Sequence, residues 1–196
     1  MLFWKKRKLN KLLKKVALLS EIRSTNNVAD AVLKREIEMY KKIAAIYLSL
    51  VGSRDFKFAK ESAYECYRLT AKLGDVESMR VLGEYRLDEG KFWSGYDGTY
   101  LNDPEIHPKY AKRCFEEAVS LLKTASNLED APSRRLFGLM HVNGWGMEVD
   151  IDEGLKLIVN SLDLENSWND SSRIFAELGL NKPEFFAKLM SMKGGQ

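Results

Sequence analysis

Proline is scarce in this chain of 196 residues, which has only 4 prolines and 13 glycines. Because proline interrupts helices, its scarcity leaves room for long helical segments. The chain has two cysteines, Cys66 and Cys114, at positions where bulky or apolar residues are expected. They therefore indicate buried thiols rather than a disulfide. The two histidines, His107 and His141, lack the paired ligand spacing of a zinc site, and we expect His141 to pack in the core.

Motifs of catalysis and cofactor binding are missing as well. The chain contains no phosphate-binding Gly-x-x-x-x-Gly-Lys-Ser/Thr loop, no nucleophile elbow and no His-Glu-x-x-His zinc motif. Its acidic clusters, Asp88-Glu89 and Asp150 with Asp152-Glu153, are interpreted as helix caps and solvated faces. We therefore predict a protein that is not an enzyme, with no catalytic, cofactor-binding or metal-binding residues and no cofactor.

Long apolar runs are also absent. No segment approaches the roughly 18 apolar residues that a membrane-spanning helix needs. The apolar run Val16–Leu19 that follows Lys15 is too short for the hydrophobic region of a signal peptide, and no small-residue cleavage site follows it. These features lead us to expect a cytoplasmic protein, with peripheral docking at the inner membrane as a further option.

Positive charge is concentrated at the start of the chain. The formal net charge is only +3, yet the first seven charged residues of the chain are all cations, and the first acid is Glu21. They are Lys5, Lys6, Arg7, Lys8, Lys11, Lys14 and Lys15. Aromatic residues beside cations suit an interfacial anchor, whereas a solvated tail is the alternative interpretation. The residues predicted to contact a membrane surface or an anionic partner are Phe3, Trp4, Lys5, Lys6, Arg7 and Lys8. Nucleic acid is disfavoured because the remainder of the chain is acidic.

The spacing of apolar residues predicts an all-α fold, since no stretch alternates as a β-strand does. Residues 1–24 form a basic amphipathic segment in this interpretation, and residues 25–196 form a helical domain. Gly74 is expected to end one helix with a positive φ, and Asp130 to cap another. Helices are predicted at about 9–22, 28–51, 57–73, 75–89, 108–127, 130–142, 151–164, 170–179 and 183–192.

Two stretches of the helical domain repeat one another. Small, bulky and glycine residues recur at the same offsets after Ala63 and after Ala118, and a third, weaker unit begins at Gly154. The first interval is 55 residues and the second is 36, so the first carries extra residues. Each repeat ends in an apolar-glycine pair that includes Gly83 or Gly138, where we expect helices to approach closely. Repeats of this length are typical of stacked helical pairs.

The segment 137–150 resembles a Sel1-like repeat, a family related to tetratricopeptide repeats. The family pattern is approximately Leu-Gly-x-x-Tyr-x-x-Gly-x-Gly-Val-x-x-Asp, and the matching residues are Gly138, Gly144, Gly146 and Asp150. Met147 stands for the valine and His141 for the tyrosine, and the likeness extends over about residues 58–165. The resemblance implies a right-handed solenoid of antiparallel helix pairs that serves protein–protein contacts, often as an adaptor or chaperone-like factor in bacteria. It implies no catalytic residues.

The repeat frame is interrupted at residues 90–108, a stretch rich in aromatic residues. Exposed tryptophan and tyrosine residues dominate many protein interfaces, and binding residues often lie between the elements of a repeat scaffold. The alternative is that these rings fold back and fill a gap between helices. The residues predicted to bind a partner protein are Phe92, Trp93, Tyr96, Tyr100 and Trp145.

Three functional hypotheses follow. The first is a non-enzymatic helical-repeat adaptor that binds a partner protein through its concave face or through the aromatic stretch. The alternative is a peripheral membrane component of a bacterial secretion or envelope assembly, docked by its basic N-terminal segment. An enzyme with an unrecognised site is the third.

Overall fold

The structure, a computed structural model, describes residues 2–25, 30–95 and 106–194. Within these ranges the chain forms nine α-helices and no β-strand, which confirms the all-α prediction. A short 3₁₀ turn, Trp168–Asp170, precedes the eighth helix. The helices are α1 (Leu2–Thr25), α2 (Asp30–Leu48), α3 (Ala59–Lys72), α4 (Val76–Ser94), α5 (Ile106–Asn127), α6 (Ala131–Asn143), α7 (Ile151–Glu165), α8 (Ser171–Glu177) and α9 (Pro183–Gly194).

The contacts within the chain divide it into two compact units, Met1–Met79 and Arg80–Gln196, and the division falls inside α4. The first unit contains α1, which packs against α2. The basic segment predicted for residues 1–24 therefore has an apolar side that belongs to the core of this unit. Its buried side chains come from α1, α2 and α3, and they are Leu9, Val16, Ile43, Ala44, Ala63 and Cys66.

An ion pair joins α1 to α2 beside this core. The carboxylate of Glu36 is only 1% exposed, and its Oε2 lies 2.7 Å from Nε of Arg23. A buried charge without a partner is strongly unfavourable, so loss of Arg23 would leave Glu36 uncompensated. The same carboxylate, together with burial as the larger cause, raises the pKa of Tyr40.

In the second unit, α6 contributes to two groups of buried side chains and so links α4 and α5 on one side with α7 and α8 on the other. Such a helix needs apolar residues around most of its circumference. Buried residues of the first group are Leu87, Ala111, Phe115, Ala118, Leu122, Phe137 and Met140. Those of the second are Leu139, Val142, Leu155, Ile158, Val159, Leu162, Ile174, Phe175 and Leu180.

The turns after α3 and after α5 have the same backbone geometry. Each contains one residue in the left-handed region, Gly74 with φ of 91° and Glu129 with φ of 63°. The next residue, Asp75 or Asp130, donates its N–H to the carbonyl five residues earlier, at 3.1 and 3.2 Å. The prediction for Gly74 is confirmed. Glutamate is uncommon in this conformation, because its Cβ crowds the backbone there.

The same two aspartates then begin the following helices. Asp75 Oδ2 accepts a hydrogen bond from the backbone N–H of Ser78 at 3.0 Å, and Asp130 Oδ2 accepts one from Ser133 at the same distance. Both serine hydroxyls also donate to their aspartate and are fully buried. A side-chain oxygen that accepts from the helix's first free N–H groups is the usual N-cap arrangement. The predicted cap at Asp130 is confirmed.

The recurring glycines lie at close helix contacts, as predicted. A Cβ on Gly83 of α4 would lie 2.7 Å from Cγ of Leu122 in α5. A Cβ on Gly138 of α6 would lie 2.5 Å from the carbonyl oxygen of Gly154 and 2.9 Å from Ile158 in α7. Leu122 and Ile158 are 36 residues apart, the same interval that separates the second and third repeats in the sequence. Both glycines therefore have equivalent neighbours.

Helix α4 is longer than predicted, because it continues past Glu89 to Ser94. The sequence predicts an end at about Glu89, one residue before Gly90. The structure instead places it inside the helix, where a Cβ would lie 2.6 Å from the ring of Phe115 in α5. The absence of a side chain makes room for that ring. Within the stretch 90–108, which was predicted to interrupt the repeats, the described residues 90–94 and 106–108 are helical.

Candidate binding surfaces

The outward side of α1 carries aromatic and basic side chains together. The side chain of Phe3 is 79% exposed and that of Trp4 is 66% exposed. The ammonium nitrogen of Lys8 lies 5.3 Å from the centre of the Trp4 ring, within the range of a cation–π interaction. The same helix buries Leu9 and Val16 on its other side.

A groove of about 440 Å³ runs along this side of α1. Its lining side chains are Trp4, Arg7, Lys8, Lys11, Leu12 and Lys15. Lys11 and Lys15 were not among the residues predicted from the sequence to form this site. The signal that could have found them is spacing, since Trp4, Lys8, Lys11 and Lys15 follow one another at intervals of four and three residues and so share one helix side.

Lys5 differs from the other predicted contact residues of this segment. It is half-buried, and its Nζ donates a hydrogen bond to the carbonyl oxygen of Ser49 at 3.3 Å. Lys5 therefore contributes to the packing of α1 near the end of α2. Phe3, Trp4, Lys6, Arg7 and Lys8 are exposed, and we refer to the exposed residues Phe3, Trp4, Arg7, Lys8, Lys11 and Lys15 as the cationic surface.

Several aromatic residues of the second unit lie close together near the end of α4. Trp93 is half-buried, stacks on His107 with ring centres 4.8 Å apart, and meets the edge of Tyr110 at 5.6 Å. It also packs against the core group that contains Phe115. This placement favours the packing alternative for Trp93. Phe92, whose ring meets Trp93 edge to face at 5.1 Å, is 60% exposed.

Trp145 lies in the turn after α6 and is half-buried. Its ring is parallel to that of Phe115, with centres 6.2 Å apart, and Nζ of Lys91 lies 4.5 Å from the Trp145 ring centre. The turn can lie close against α5 because Gly146 has no side chain. A Cβ at this position would lie only 2.9 Å from Cβ of Phe115. Lys91 thus connects the last turn of α4 with Trp145.

We call Lys91, Phe92, Trp93 and Trp145 the aromatic surface. The structure brings together three of the five predicted partner-binding residues, whereas Tyr96 and Tyr100 lie outside the described residues. Sequence reasoning missed the supporting residues His107 and Tyr110. Their spacing of three residues at the start of α5 places them on one helix side, but only the fold brings that side to Trp93.

A network of charged and phenolic groups supports this part of α4. Arg86 lies 2.7 Å from a carboxylate oxygen of Glu89 and 2.6 Å from one of Glu117, and the hydroxyl of Tyr85 donates to Glu89 at 2.6 Å. Burial and the nearby Glu89 carboxylate raise the pKa of Tyr85. Burial opposes the charge of Arg86, yet the hydrogen bond to Glu89 and the charge of Glu117 raise the pKa of its guanidinium. With these raised pKa values Tyr85 stays neutral and Arg86 stays charged, and the pair between Arg86 and Glu117 joins α4 to α5.

The two thiols have the features of structural rather than reactive cysteines. Cys66 is 7% exposed and Cys114 is fully buried. Burial raises the pKa of the Cys66 thiol to about 11, and burial likewise raises that of Cys114. Thiols with a raised pKa carry little thiolate near neutral pH and are poor nucleophiles. Across the described ranges, no three histidine, cysteine or acidic side chains converge in a way that could hold a metal ion.

No protein-family model matches the chain, and no curated protein is significantly similar to it in sequence. The Sel1-like likeness consequently remains a prediction from the residues themselves. Among the helices in the described ranges, none is both long and apolar enough to cross a bilayer.

Proposed function

We propose that this protein is a non-enzymatic scaffold of Sel1-like helical repeats, stacked as a right-handed solenoid of antiparallel pairs, that holds a partner protein. The observation that carries this proposal is the recurrence of one geometry at the repeat interval. The capped turns at Asp75 and Asp130 use equivalent hydrogen bonds, and Gly83 and Gly138 meet equivalent positions of the next helix. Repeats that bury their faces on one another are used mainly for binding other proteins.

The aromatic surface is the partner-binding site in this proposal. Phe92 offers an exposed ring, and the ammonium group of Lys91, the preceding residue, lies over the ring of Trp145. Aromatic side chains with little conformational freedom are the usual anchors of protein interfaces. Trp93 acts as a positioning residue here, because its stacking on His107 fixes the direction of the α4 end that carries Phe92.

The test is affinity capture with the purified full chain, followed by mass spectrometry and by affinity measurement on the protein that is retained. Phe92→Ala should weaken that binding by about 2 kcal/mol, or roughly thirtyfold, if Phe92 is an interface anchor. Phe58→Ala is the matched control, since Phe58 is 73% exposed and lies in the first unit. Equal retention by both variants, or no protein retained above empty beads, would contradict the proposal.

Thermal unfolding of the same variants separates binding from folding. Phe92→Ala should change the free energy of unfolding by less than about 1 kcal/mol, because its side chain is mostly exposed. Trp93→Ala should cost about 2–3 kcal/mol, because it removes a ring packed against His107 and Tyr110. If Trp93→Ala leaves stability unchanged, the assigned positioning role is wrong.

A further inference from the structure

Helix α1 has two sides of opposite character. One side buries Leu9 and Val16 in the core of the first unit. The other side is not used by the fold: Phe3, Trp4 and Leu18 are 79%, 66% and 58% exposed. A helix of 24 residues is about 36 Å long, so this exposed side is long enough to lie flat on a surface.

Several cations elsewhere in the described residues are held in ion pairs. Arg23 pairs with Glu36, Lys41 lies 3.5 Å from Asp75, and Arg86 pairs with Glu89. By contrast, the cations of the cationic surface form no ion pair with any described residue. Uncompensated charges held in one row by a packed helix attract a surface of opposite charge, and the attraction is strongest at low salt.

The exposed aromatic rings favour a bilayer surface over a free phosphate as the anionic partner. Trp4 lies within the row of cations rather than apart from it, and Lys8 packs over its face. A free phosphate would engage the cations alone. A bilayer surface engages both, because tryptophan favours the level of the lipid headgroups while lysine and arginine pair with the phosphates. The exposed Leu18 further along the helix fits the same surface, since its apolar side chain can enter the boundary between headgroups and acyl chains.

We infer that the cationic surface of α1 docks this protein on the surface of an anionic phospholipid bilayer, with Phe3 and Trp4 at headgroup level and the helix parallel to the membrane. The inference rests on α1 alone and goes beyond the proposed scaffold function. A scaffold held at a membrane in this way would present its partner at the membrane surface.

The test is co-sedimentation of the full chain with vesicles. The expected result is binding to an equimolar mixture of phosphatidylglycerol and phosphatidylcholine, and little binding to phosphatidylcholine alone. A variant with Arg7→Gln, Lys8→Gln, Lys11→Gln and Lys15→Gln should bind the anionic vesicles at least about a hundredfold more weakly. Phe3→Ser with Trp4→Ser should weaken binding by about tenfold with the charges intact.

A matched control removes the same charge from other exposed positions of the first unit. It carries four substitutions, which are Lys34→Gln, Arg35→Gln, Lys57→Gln and Lys72→Gln. Because it has the same number of lysine and arginine replacements, it has the same net charge as the α1 variant. Binding by the control should stay within about threefold of the parent chain, since attraction to lipid falls off over a Debye length.

Several outcomes would overturn the inference. One is equal binding of the parent chain to both kinds of vesicle, and another is an equal loss of binding in the control and α1 variants. A third is tighter binding of the parent chain to duplex nucleic acid, or to an acidic protein, than to anionic vesicles at the same salt concentration. The parent chain alone gives the first and third of these results, so the inference can fail even if the α1 variant does not fold.

Discussion

The turn between α3 and α4 and the turn between α5 and α6 reach the same backbone hydrogen bonds with different residues. Gly74 takes the left-handed position in the first turn, and Glu129 takes it in the second. In the first turn the hydroxyl of Thr70 donates to that of Ser78 at 2.7 Å, whereas Ala125 occupies the place of Thr70 in the second. The shared element is therefore the aspartate cap, and the side chains around it can vary.

The glycines of the two repeats show a second difference. The nearest atoms to a Cβ on Gly83 belong to the side chain of Leu122, which can adjust its rotamer. The nearest atom to a Cβ on Gly138 is a backbone oxygen of Gly154, which cannot move without moving α7. The same repeat position therefore tolerates substitution to different degrees, and the neighbouring helix decides how much.

The largest expected effect separates these two glycines. Gly138→Val should lower the free energy of unfolding by about 2–4 kcal/mol, because it forces α6 and α7 apart. Gly83→Val should cost less, about 1–2 kcal/mol, because Leu122 can shift. Urea unfolding of both variants, monitored by circular dichroism, measures the difference. Equal losses would mean that backbone contact does not decide tolerance at this position.

A smaller effect should be common to both turns. Asp75→Ala and Asp130→Ala should each cost about 1–2 kcal/mol, since each removes an N-cap and leaves a buried serine hydroxyl without its acceptor. Asp88→Ala serves as a control, because Asp88 forms only an exposed ion pair with Lys91 and should change stability by less than about 0.5 kcal/mol. A near-zero effect at only one of the two caps would show that the turns are not energetically equivalent.

The left-handed positions should respond with opposite signs. Gly74→Ala should destabilise by about 1 kcal/mol, because alanine at a φ of 91° is strained although no neighbour obstructs its side chain. Thermal unfolding of this variant beside Glu129→Gly gives the comparison. An unchanged melting temperature for Gly74→Ala would indicate that the first turn can adopt another conformation.

The smallest effect is a gain. Glu129→Gly should stabilise the protein by roughly 0.5–1 kcal/mol, because it relieves the left-handed strain at a φ of 63° while the added freedom of the unfolded chain offsets part of the gain. Glu129→Ala, which keeps a Cβ, is the matched control and should show no such gain. A loss of stability in Glu129→Gly would mean that the glutamate side chain itself supports the turn.

Local chemistry in the sequence predicted much of this fold. The end of α3 at Gly74 and the start of α6 at Asp130 follow from one glycine and one cap, and the repeat offset predicted the close contact at Gly138. The left-handed conformation of Glu129 was not predicted, because glutamate has no preference for that conformation. The place of Gly90 inside α4 was not predicted either, since the ring that packs against it belongs to Phe115, which is remote in sequence.

The candidate surfaces were predictable only in part. An aromatic stretch and a basic stretch are visible in the sequence, but their exposure depends on distant partners. Trp93 is covered because His107 stacks on it, and Lys5 is engaged because the end of α2 brings Ser49 within reach. The helical spacing of Lys11 and Lys15 was present in the sequence, and it became informative once α1 was seen to bury Leu9.

The two buried cysteines provide each unit with its own reporter of local opening. Cys66 lies in the first unit and Cys114 in the second, and a thiol reagent can reach either sulfur only when the surrounding helices open. Under conditions where reclosing is faster than alkylation, each labelling rate measures the opening equilibrium of one unit. Mass spectrometry of a single natural chain therefore measures the opening equilibria around the two cysteines separately, without any introduced probe.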